Sequence, residues 1–423
     1  MRIYLAAAAA FFAASTTVFA QEEISFAFTD DDPAYIEEMG NLVQEFEQKN
    51  PDIKVKYITA GYSQLMEQLP LQLSVGKGPD LAKITDTTLM KYTLDLRPYM
   101  QDPDGFATFH GNSLKGLTID GDPANKIGGF MLSKTINLPF VNKTLWDQAG
   151  IPLPKQGATL DQIVEDSLKV AQATGVDIPF TIDRSGNRFL GPAFSYGSHL
   201  LKDGQLSFPD EASKKLIADF QRWSQEGAFP KEMWGAAGGT RYKNMSDEFI
   251  NGNVVTYFSG NWIVNPFIAK IGSDFDWTAL DAPCGDGGCI AMQGGTYLAA
   301  FKSSHHPKAV ARLVEFLGSP EVVRKLAERF IIIPGATGIH DLTYQLSDPS
   351  ATSAMKVFLR NSDAISPEAI EWMSKPGQSA VQGYIVQRVS QMIVGELTLQ
   401  ETYDRLESDV AKINETLKAN KKD

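Results

Sequence analysis

A two-domain α/β fold with a largely parallel sheet is predicted by three observations. Strand-like alternation gives way repeatedly to helical spacing in the opening segment. About 400 residues remain after the N-terminal leader, more than one hydrophobic core usually organises. The closing segment reads as consecutive amphipathic helices.

Ile24, Phe26 and Phe28 alternate and predict the first strand, which ends in Thr29-Asp-Asp-Asp32 before Pro33 at a helix N1 position. Tyr35, Met39, Leu42 and Phe46 lie at helical spacing, and Asn50-Pro51 stops that helix. Ile53, Val55 and Tyr57 predict a second strand, and Gly61-Tyr62 leads into a second helix. Gly76-Lys-Gly-Pro-Asp80 turns into the apolar run Leu81 to Ile84. Ligands of such sheets sit at the carboxyl ends of the strands, a rule that points to Asp30 to Asp32, Tyr62 and Thr85-Asp86. Thr159-Leu-Asp-Gln162 is a capping box. Residues 181–208, rich in Gly, Ser, Phe and Arg, read as a functional loop region or a poorly defined one. The run Phe249 to Trp262 reads as a helix end, a turn at Gly252, a buried strand Val254 to Phe258, and a turn that delivers Trp262. An indole on such a loop suits a flat, weakly apolar ligand such as a sugar face. Gly294-Gly295 precedes a strand Thr296 to Phe301. Val310, Leu313, Val314 and Leu317 follow on a helix opened by Pro307. Ile385, Val389 and Met392 share a helix stopped by Gly395, and Thr398-Leu-Gln-Glu401 caps the last helix.

Arg2, the twelve apolar residues Ile3 to Ala14 and Val18-Phe-Ala20 have the form of a secretory signal peptide over residues 1–20. Its apolar core is too short to span a bilayer, which needs about 20 residues. The mature chain is therefore expected to be exported to the periplasm, soluble, without stable membrane insertion and monomeric. Removing Arg2 with the leader takes the net charge from −12 to −13, which argues against a nucleic-acid partner. Only Cys284 and Cys289 occur, flanking a glycine-rich turn, and a disulfide between them is expected rather than a metal site. The short loop should stiffen the chain locally rather than clamp it globally. No cofactor and no metal are expected.

Several motifs, in order along the chain, resemble the extracellular solute-binding proteins of ABC importers, in the sugar-binding group that includes maltose-binding protein. Phe-Glu-Gln-Lys-Asn-Pro-Asp-Ile-Lys-Val from Phe46 to Val55 is similar to that family's first helix-to-strand segment, and Gly78-Pro-Asp80 to its second. Phe140-Val-Asn-Lys-Thr-Leu-Trp146 with Ala149-Gly-Ile-Pro152 resembles the segment past its first domain crossover. Phe249 to Trp262 matches the segment carrying a ligand-stacking aromatic, and Gly294-Gly295 and Gly395-Glu-Leu-Thr398 also fit. The chain departs from many relatives at Thr159-Leu160, where they carry a Trp after Pro-Lys, and residues 181–208 match no family motif.

The resemblance implies a periplasmic-binding-protein-like fold, two α/β lobes joined by a multi-strand hinge with the ligand cleft between them. Crossovers near Lys134, Gly295 and Pro334 would divide the chain into 21–134 plus 297–336 and 135–296 plus 337–423. A carbohydrate would be captured by hinge closure and passed to the permease subunits of the transporter. The residues expected at the ligand are Trp262 and Tyr62 for stacking, Asp31 and Asp86 as hydroxyl acceptors, and Thr135 and Asn137 on the cleft wall. Gly294 and Gly295 would offer close backbone approach, and Arg188 would matter most for an acidic ligand. Trp223, Trp234 and Trp372 are expected in the core, Asp80 as a turn brace and Asn142 as a backbone brace.

Two further readings compete with the neutral sugar. One is a receptor for a polyol, a glycerol phosphodiester or an acidic sugar derivative. The other is a secreted glycoside hydrolase using a carboxylate pair. The chain carries no Gly-x-Ser-x-Gly elbow, no His-Glu-x-x-His and no phosphate-cradling loop, so no catalytic residue is assigned.

Overall fold

The described residues of the computed structural model are 21–30, 32–119, 121–231, 233–234, 244–344, 346–362 and 366–419. The expected leader, residues 1–20, and the expected site residue Asp31 lie outside them, as do the side chains of Tyr62, Ser63 and Thr87.

The opening alternation forms β1 (Glu22–Phe28), α1 (Pro33–Lys49), β2 (Ile53–Thr59), α2 (Tyr62–Ser74) and β3 (Leu81–Ile84), followed by α3 (Pro103–His110) and the long β4 (Gly129–Asn142). The middle carries α4 (Lys143–Ala149), α5 (Leu160–Thr174), β5 (Ile178–Ile182), α6 (Asn187–Ser195), a small hairpin β6 (Leu201–Lys202) and β7 (Gln205–Leu206), α7 (Glu211–Gln225), α8 (Met245–Ile250), β8 (Val254–Gly260), α9 (Val264–Ile271) and β9 (Trp277–Ala279). A second hairpin, β10 (Cys284–Gly285) and β11 (Gly288–Cys289), precedes β12 (Met292–Ala300). Six helices close the chain: α10 (Pro307–Leu317), α11 (Pro320–Phe330), α12 (Pro349–Asn361), α13 (Pro367–Ser374), α14 (Gln378–Ile393) and α15 (Leu399–Ala419).

One sheet runs in the order β2-β1-β3-β12-β4-β8-β5, with β9 also paired to β4. The expectation of a largely parallel sheet holds only at its flanks, where β2, β1 and β3 are parallel and β5 is parallel to β8. The centre is antiparallel, because β4 and β12 each pass from one half of the molecule to the other in opposite directions. A chain that must return across the same seam has to pair antiparallel to the strand that left.

Each half of the sheet is covered on both faces, which makes two α/β lobes. Ile24, Phe26 and Phe28 of β1 pack with Met39, Leu42 and Phe46 of α1 and Val310, Leu313 and Val314 of α10. The opposite face, through Ala27, Ala82, Ile84 and Ala299, lies under Leu65, Leu69 and Leu73 of α2. In the other half, Val141, Phe180 and Val255 pack with α5, α6, α7 and α14, whereas Ile136, Leu138 and Phe140 pack with α9 and α12. Trp223, Trp234 and Trp372 are fully buried, as their helical settings suggested. Asp32 and the capping boxes at Thr159 and Thr398 start their helices as read from sequence. Asp80 accepts from the backbone and hydroxyl of Ser25, both at 2.7 Å, and Asn142 caps α4.

Three local expectations need correction. Gly294-Gly295 lies inside β12, not before it, because antiparallel pairing to β4 begins at Met292. The strand predicted to end at Phe258 continues through Gly260, paired to Asn137. Residues 181–208 hold a buried helix, α6, despite Gly186, Gly191 and Pro192, whose breaking tendency is overridden by complete burial.

His110 ends α3 with its ring buried among Phe106, Phe109 and Phe130, at centroid distances of 4.2, 5.0 and 4.9 Å. Its Nε2–H donates to the Gly318 carbonyl at 2.9 Å, and Nδ1 has no partner among the described residues. Burial pushes the imidazole pKa down to about 4. The unfolded chain, with its ordinary value near 6.5, therefore takes up the proton first as pH falls. The stabilisation is complete above pH 6.5 and is lost progressively toward pH 4, by about 2 kcal/mol at pH 5. Thermal unfolding between pH 7 and pH 5 should show this loss in the wild type. His110→Gln, which keeps a donor for Gly318, should flatten it.

Candidate ligand cleft

The parallel strands of both halves end toward the seam between β4 and β12, and the polar residues that follow them gather there. In the second half these are Asp183 after β5 and Asn261-Trp262 after β8. In the first half they are Thr29-Asp30 after β1 and Thr85-Asp86 after β3.

Trp262 sits on a short turn, Asn261–Ile263, and is half-buried. Its ring folds back over Gly260, where a Cβ would lie 1.8 Å from ring atom Cζ3. Glycine is required there by that close approach. Asn261 is buried and ties the turn to β4, with Oδ1 accepting from the Ile136 amide at 2.8 Å and Nδ2 donating to the Lys134 carbonyl at 3.3 Å.

The Arg188 guanidinium lies over the indole, 4.4 Å from the ring centroid. A cation over a Trp face is attracted by the ring quadrupole, and more so when desolvated. Arg188 is itself held by Asp183, whose Oδ2 accepts from Nε at 3.3 Å and from Nη2 at 3.2 Å. The same carboxylate accepts from Tyr257 Oη and, at 2.7 Å, from Ser259 Oγ. Trp234 Nε1 donates to the Asp183 carbonyl at 2.8 Å. Four donors on one carboxylate keep a desolvated charge satisfied and fix the arginine beside it.

The third donor arm of Arg188, Nη1, reaches Asn187 Oδ1 at 3.2 Å, and Asn137 Nδ2 donates to the same oxygen. Arginine can only donate, so Asn187 must present its oxygen and Asn137 its amide nitrogen. That leaves Asn137 Oδ1 buried and without a partner among the described residues. Beyond Asn187 the chain of contacts continues through Met373 Sδ at 3.7 Å and Gln382 to Gln378, Ser379 and finally Asp86. Asp86 Oδ1 caps the following turn through Thr88 N–H at 2.8 Å and accepts from Ser379 Oγ at 2.9 Å. Asp32 likewise caps α1 and also accepts from Asn265 Nδ2 on α9. Two carboxylates of the first half thus bond directly to the second.

The expected residues therefore fall into two groups. Trp262, Arg188, Asn137 and, through α14, Asp86 belong to one connected polar network. Thr135, Gly294 and Gly295 lie on the adjoining β4–β12 seam, where Thr135 pairs with Gly294. A Cβ on Gly294 would lie 2.5 Å from Thr135 Oγ1, and one on Gly295 2.9 Å from Met131 Cε. Sequence reasoning did not single out Asp183 and Asn187, although both fall in the 181–208 stretch read as functional, and it missed Ser379 and Gln382. A signal existed for Asp183, which directly follows the apolar strand Ile178–Ile182. None existed for the α14 residues, which only tertiary packing brings to the site.

Cys284 and Cys289 form the expected disulfide. A cavity of about 530 Å³ opens at the far end of α6, lined in part by Tyr196, His199, Asp286 and Glu368, and none of the network residues lines it. Among the described residues no group of three or more His, Cys, Asp or Glu is placed to hold a metal ion. No described helix is long and apolar enough to cross a membrane.

The fold is shared with solved proteins over nearly their whole length. The ABC substrate-binding protein Lmo0181 of Listeria monocytogenes, solved in complex with cycloalternan, is 17% identical with a TM-score of 0.76, covering 94% of this chain and 99% of that one. The GacH receptor of Streptomyces glaucescens, solved unliganded and with acarbose, is 18% identical with a TM-score of 0.73, covering 93% and 98%. Maltose-bound MalE3 of T. maritima is 18% identical with a TM-score of 0.73, covering 92% and 99%. Identities this low establish the common architecture and no more. The sequence itself matches the model of one family across residues 41–356, well over half of its length, and on that match the chain belongs to the bacterial extracellular solute-binding proteins.

Proposed function

We propose that this chain is the periplasmic binding protein of an ABC importer and that it captures a neutral mono- or oligosaccharide. The observation that carries this reading is the half-buried Trp262 set beside a network of planar polar side chains, Arg188, Asp183, Asn187 and Asn137. A sugar offers hydroxyls to such groups and an apolar C–H patch to the part of the half-buried indole that Arg188 and Gly260 leave open. The buried Oδ1 of Asn137, which has no partner among the described residues, suits a hydroxyl proton. The saccharides named for the solved neighbours, cycloalternan, acarbose and maltose, agree with it.

On this reading the lobes are 21–134 plus 297–336 and 135–296 plus 337–423, hinged at three neighbouring crossings. The pairing of Lys134 with Gly295 and its N–H bond to the Ile333 carbonyl at 2.7 Å support that division. Sugar binds one lobe, the other closes over it, and the closed form docks on the permease subunits after export through the leader 1–20. Closure is favoured only by the ligand's differential affinity for the closed state. Tyr62, Asp31, Thr135 and the bare backbone of Gly294 and Gly295 complete the ligand shell. Asp86 keeps Oδ2 for a hydroxyl, since among the described residues its partners Thr88 and Ser379 both engage Oδ1. No catalytic step is assigned, since the matched family is one of binding proteins. An acidic sugar is the second reading, favoured by the arginine on the indole; the neutral one is preferred because Asp183 already balances that charge.

A thermal-shift screen of residues 21–423 should give a large upward shift with one class of neutral saccharide. Saturation a hundredfold above Kd contributes about 2.7 kcal/mol. Shifts only with uronates or phosphorylated sugars would establish the second reading, and none with any saccharide would refute both. With the saccharide so found, Trp262→Ala should weaken binding by about 2–4 kcal/mol, roughly thirtyfold or more. Calorimetry showing an unchanged Kd would remove Trp262 from the site.

A further inference from the structure

The Cys284–Cys289 hairpin lies outside the network around Trp262, yet it is built onto the helix that carries two members of that network. From its position we infer that the disulfide hairpin is the positioning element for α6, and through α6 for Asn187 and Arg188. The inference rests on the reading of α6 as the recognition helix.

α6 is poorly equipped to hold itself. It is nine residues long, has no side-chain cap at Gly186, and contains Gly191 and Pro192. Pro192 has no amide proton, so the carbonyl of Arg188, four residues earlier, loses its helical donor in the part of the helix that carries Asn187 and Arg188. Isolated helices of this length are marginal in water, so the position of α6 is set by what grips it.

The grip is at both ends. At the C-terminal end, Gly287 N–H donates to the Ser195 carbonyl at 2.8 Å, and Ile290 N–H donates to Ser195 Oγ at 3.0 Å. A Cβ on Gly285 would lie 2.4 Å from the Ser195 oxygen, and one on Gly287 2.1 Å from the Phe194 oxygen. The two glycines let the hairpin lie flat against the end of the helix, where it supplies the donor of the Ser195 carbonyl, while the Phe194 carbonyl accepts from Gly197 N–H at 3.0 Å. Halfway along, Gly191 packs on Met292 of β12, with its Cβ position 3.1 Å from Met292 Cβ. At the N-terminal end, Gly186 abuts the Gln382 backbone of α14, with its Cβ position 2.4 Å from the carbonyl oxygen.

The hairpin has two-residue strands, too short to persist unaided. The disulfide closes it, and its outer edge is fixed where Cys284 N–H donates to the Ala158 carbonyl at 2.9 Å, next to the capping box of α5. The loop so closed is short, and a cross-link of that kind contributes less to global stability than one closing a long loop. Local placement is what it supplies.

Amide hydrogen exchange of ligand-free mature protein tests this, and its outcome does not depend on whether the ligand is a sugar. Two variants are compared with the wild type: Cys284→Ser with Cys289→Ser, which removes the cross-link, and Gly287→Ala, which keeps it but pushes the hairpin off the Phe194 oxygen. In both, exchange should accelerate at least tenfold through the whole of α6, including its first turn Asn187 to Leu190, while α1 and α5 keep wild-type rates. Acceleration confined to the hairpin and residues 194–198, acceleration spread evenly over the chain, or none in either variant would overturn the inference.

Discussion

The antiparallel ladder of β4 and β12 is the constraint on which the rest of the structure depends. It runs from Gly129 paired with Ala299 to Asn137 paired with Met292, and so belongs to both halves at once. Side chains of β4 enter the first half's core at Phe130 and Leu132 and the second half's at Ile136, Leu138 and Phe140. Removing a buried aromatic of that kind costs about 3–5 kcal/mol, so each end of the strand is firmly anchored. Between the anchors the ladder is thin. It carries a register shift at Thr296/Tyr297, a pair of hydroxyls from Ser133 and Thr296 at 2.7 Å, and two consecutive glycines. Anchored ends with two glycines between them suit the hinge that the proposed lobe division places here.

The polar network is the chemical counterpart of that seam. Asp183 collects donors from β8 and α6, and the chain of contacts then crosses through α14 to Asp86 in the other half. Its members have few alternative roles, since a carboxylate only accepts and a guanidinium only donates. The orientation of Asn187 and Asn137 follows from those two fixed points. The carboxylates Asp32 and Asp86 each serve twice, capping their own helix or turn and accepting from the opposite half. Direct bonds of this kind stabilise the arrangement of the halves described above, to which a ligand on the proposed reading adds its own differential affinity.

Legibility in the sequence followed the range of the forces involved. α1 was readable because its face is regular and Asp32 caps it locally. The capping boxes at Thr159 and Thr398 are likewise contained within four residues. Trp262 stood out because glycines frame a short apolar strand. α6 was not legible, since Gly186, Gly191 and Pro192 argue locally against a helix that exists only because hairpin, β12 and α14 enclose it. The same holds for Ser379 and Gln382, whose approach to Asp86 and Gly186 is decided by how α14 packs, not by any pattern around them. The sheet was misread as largely parallel because each βα unit is parallel, while the crossing strands that join the halves carry no local mark of direction.

The most direct test of the account is the distance between the two halves in solution. Leu71 on α2 and Ile370 on α13 are both exposed, and no free cysteine competes for labels among the described residues. Pulsed electron paramagnetic resonance on Leu71→Cys with Ile370→Cys, spin-labelled, would give the distribution directly. Two populations are expected, with the one matching the structure described above enriched by a bound saccharide and depleted by Asp86→Ala. A single narrow distance, indifferent to saccharide and to the Asp86 substitution, would contradict a binding protein that works by closing on its hinge.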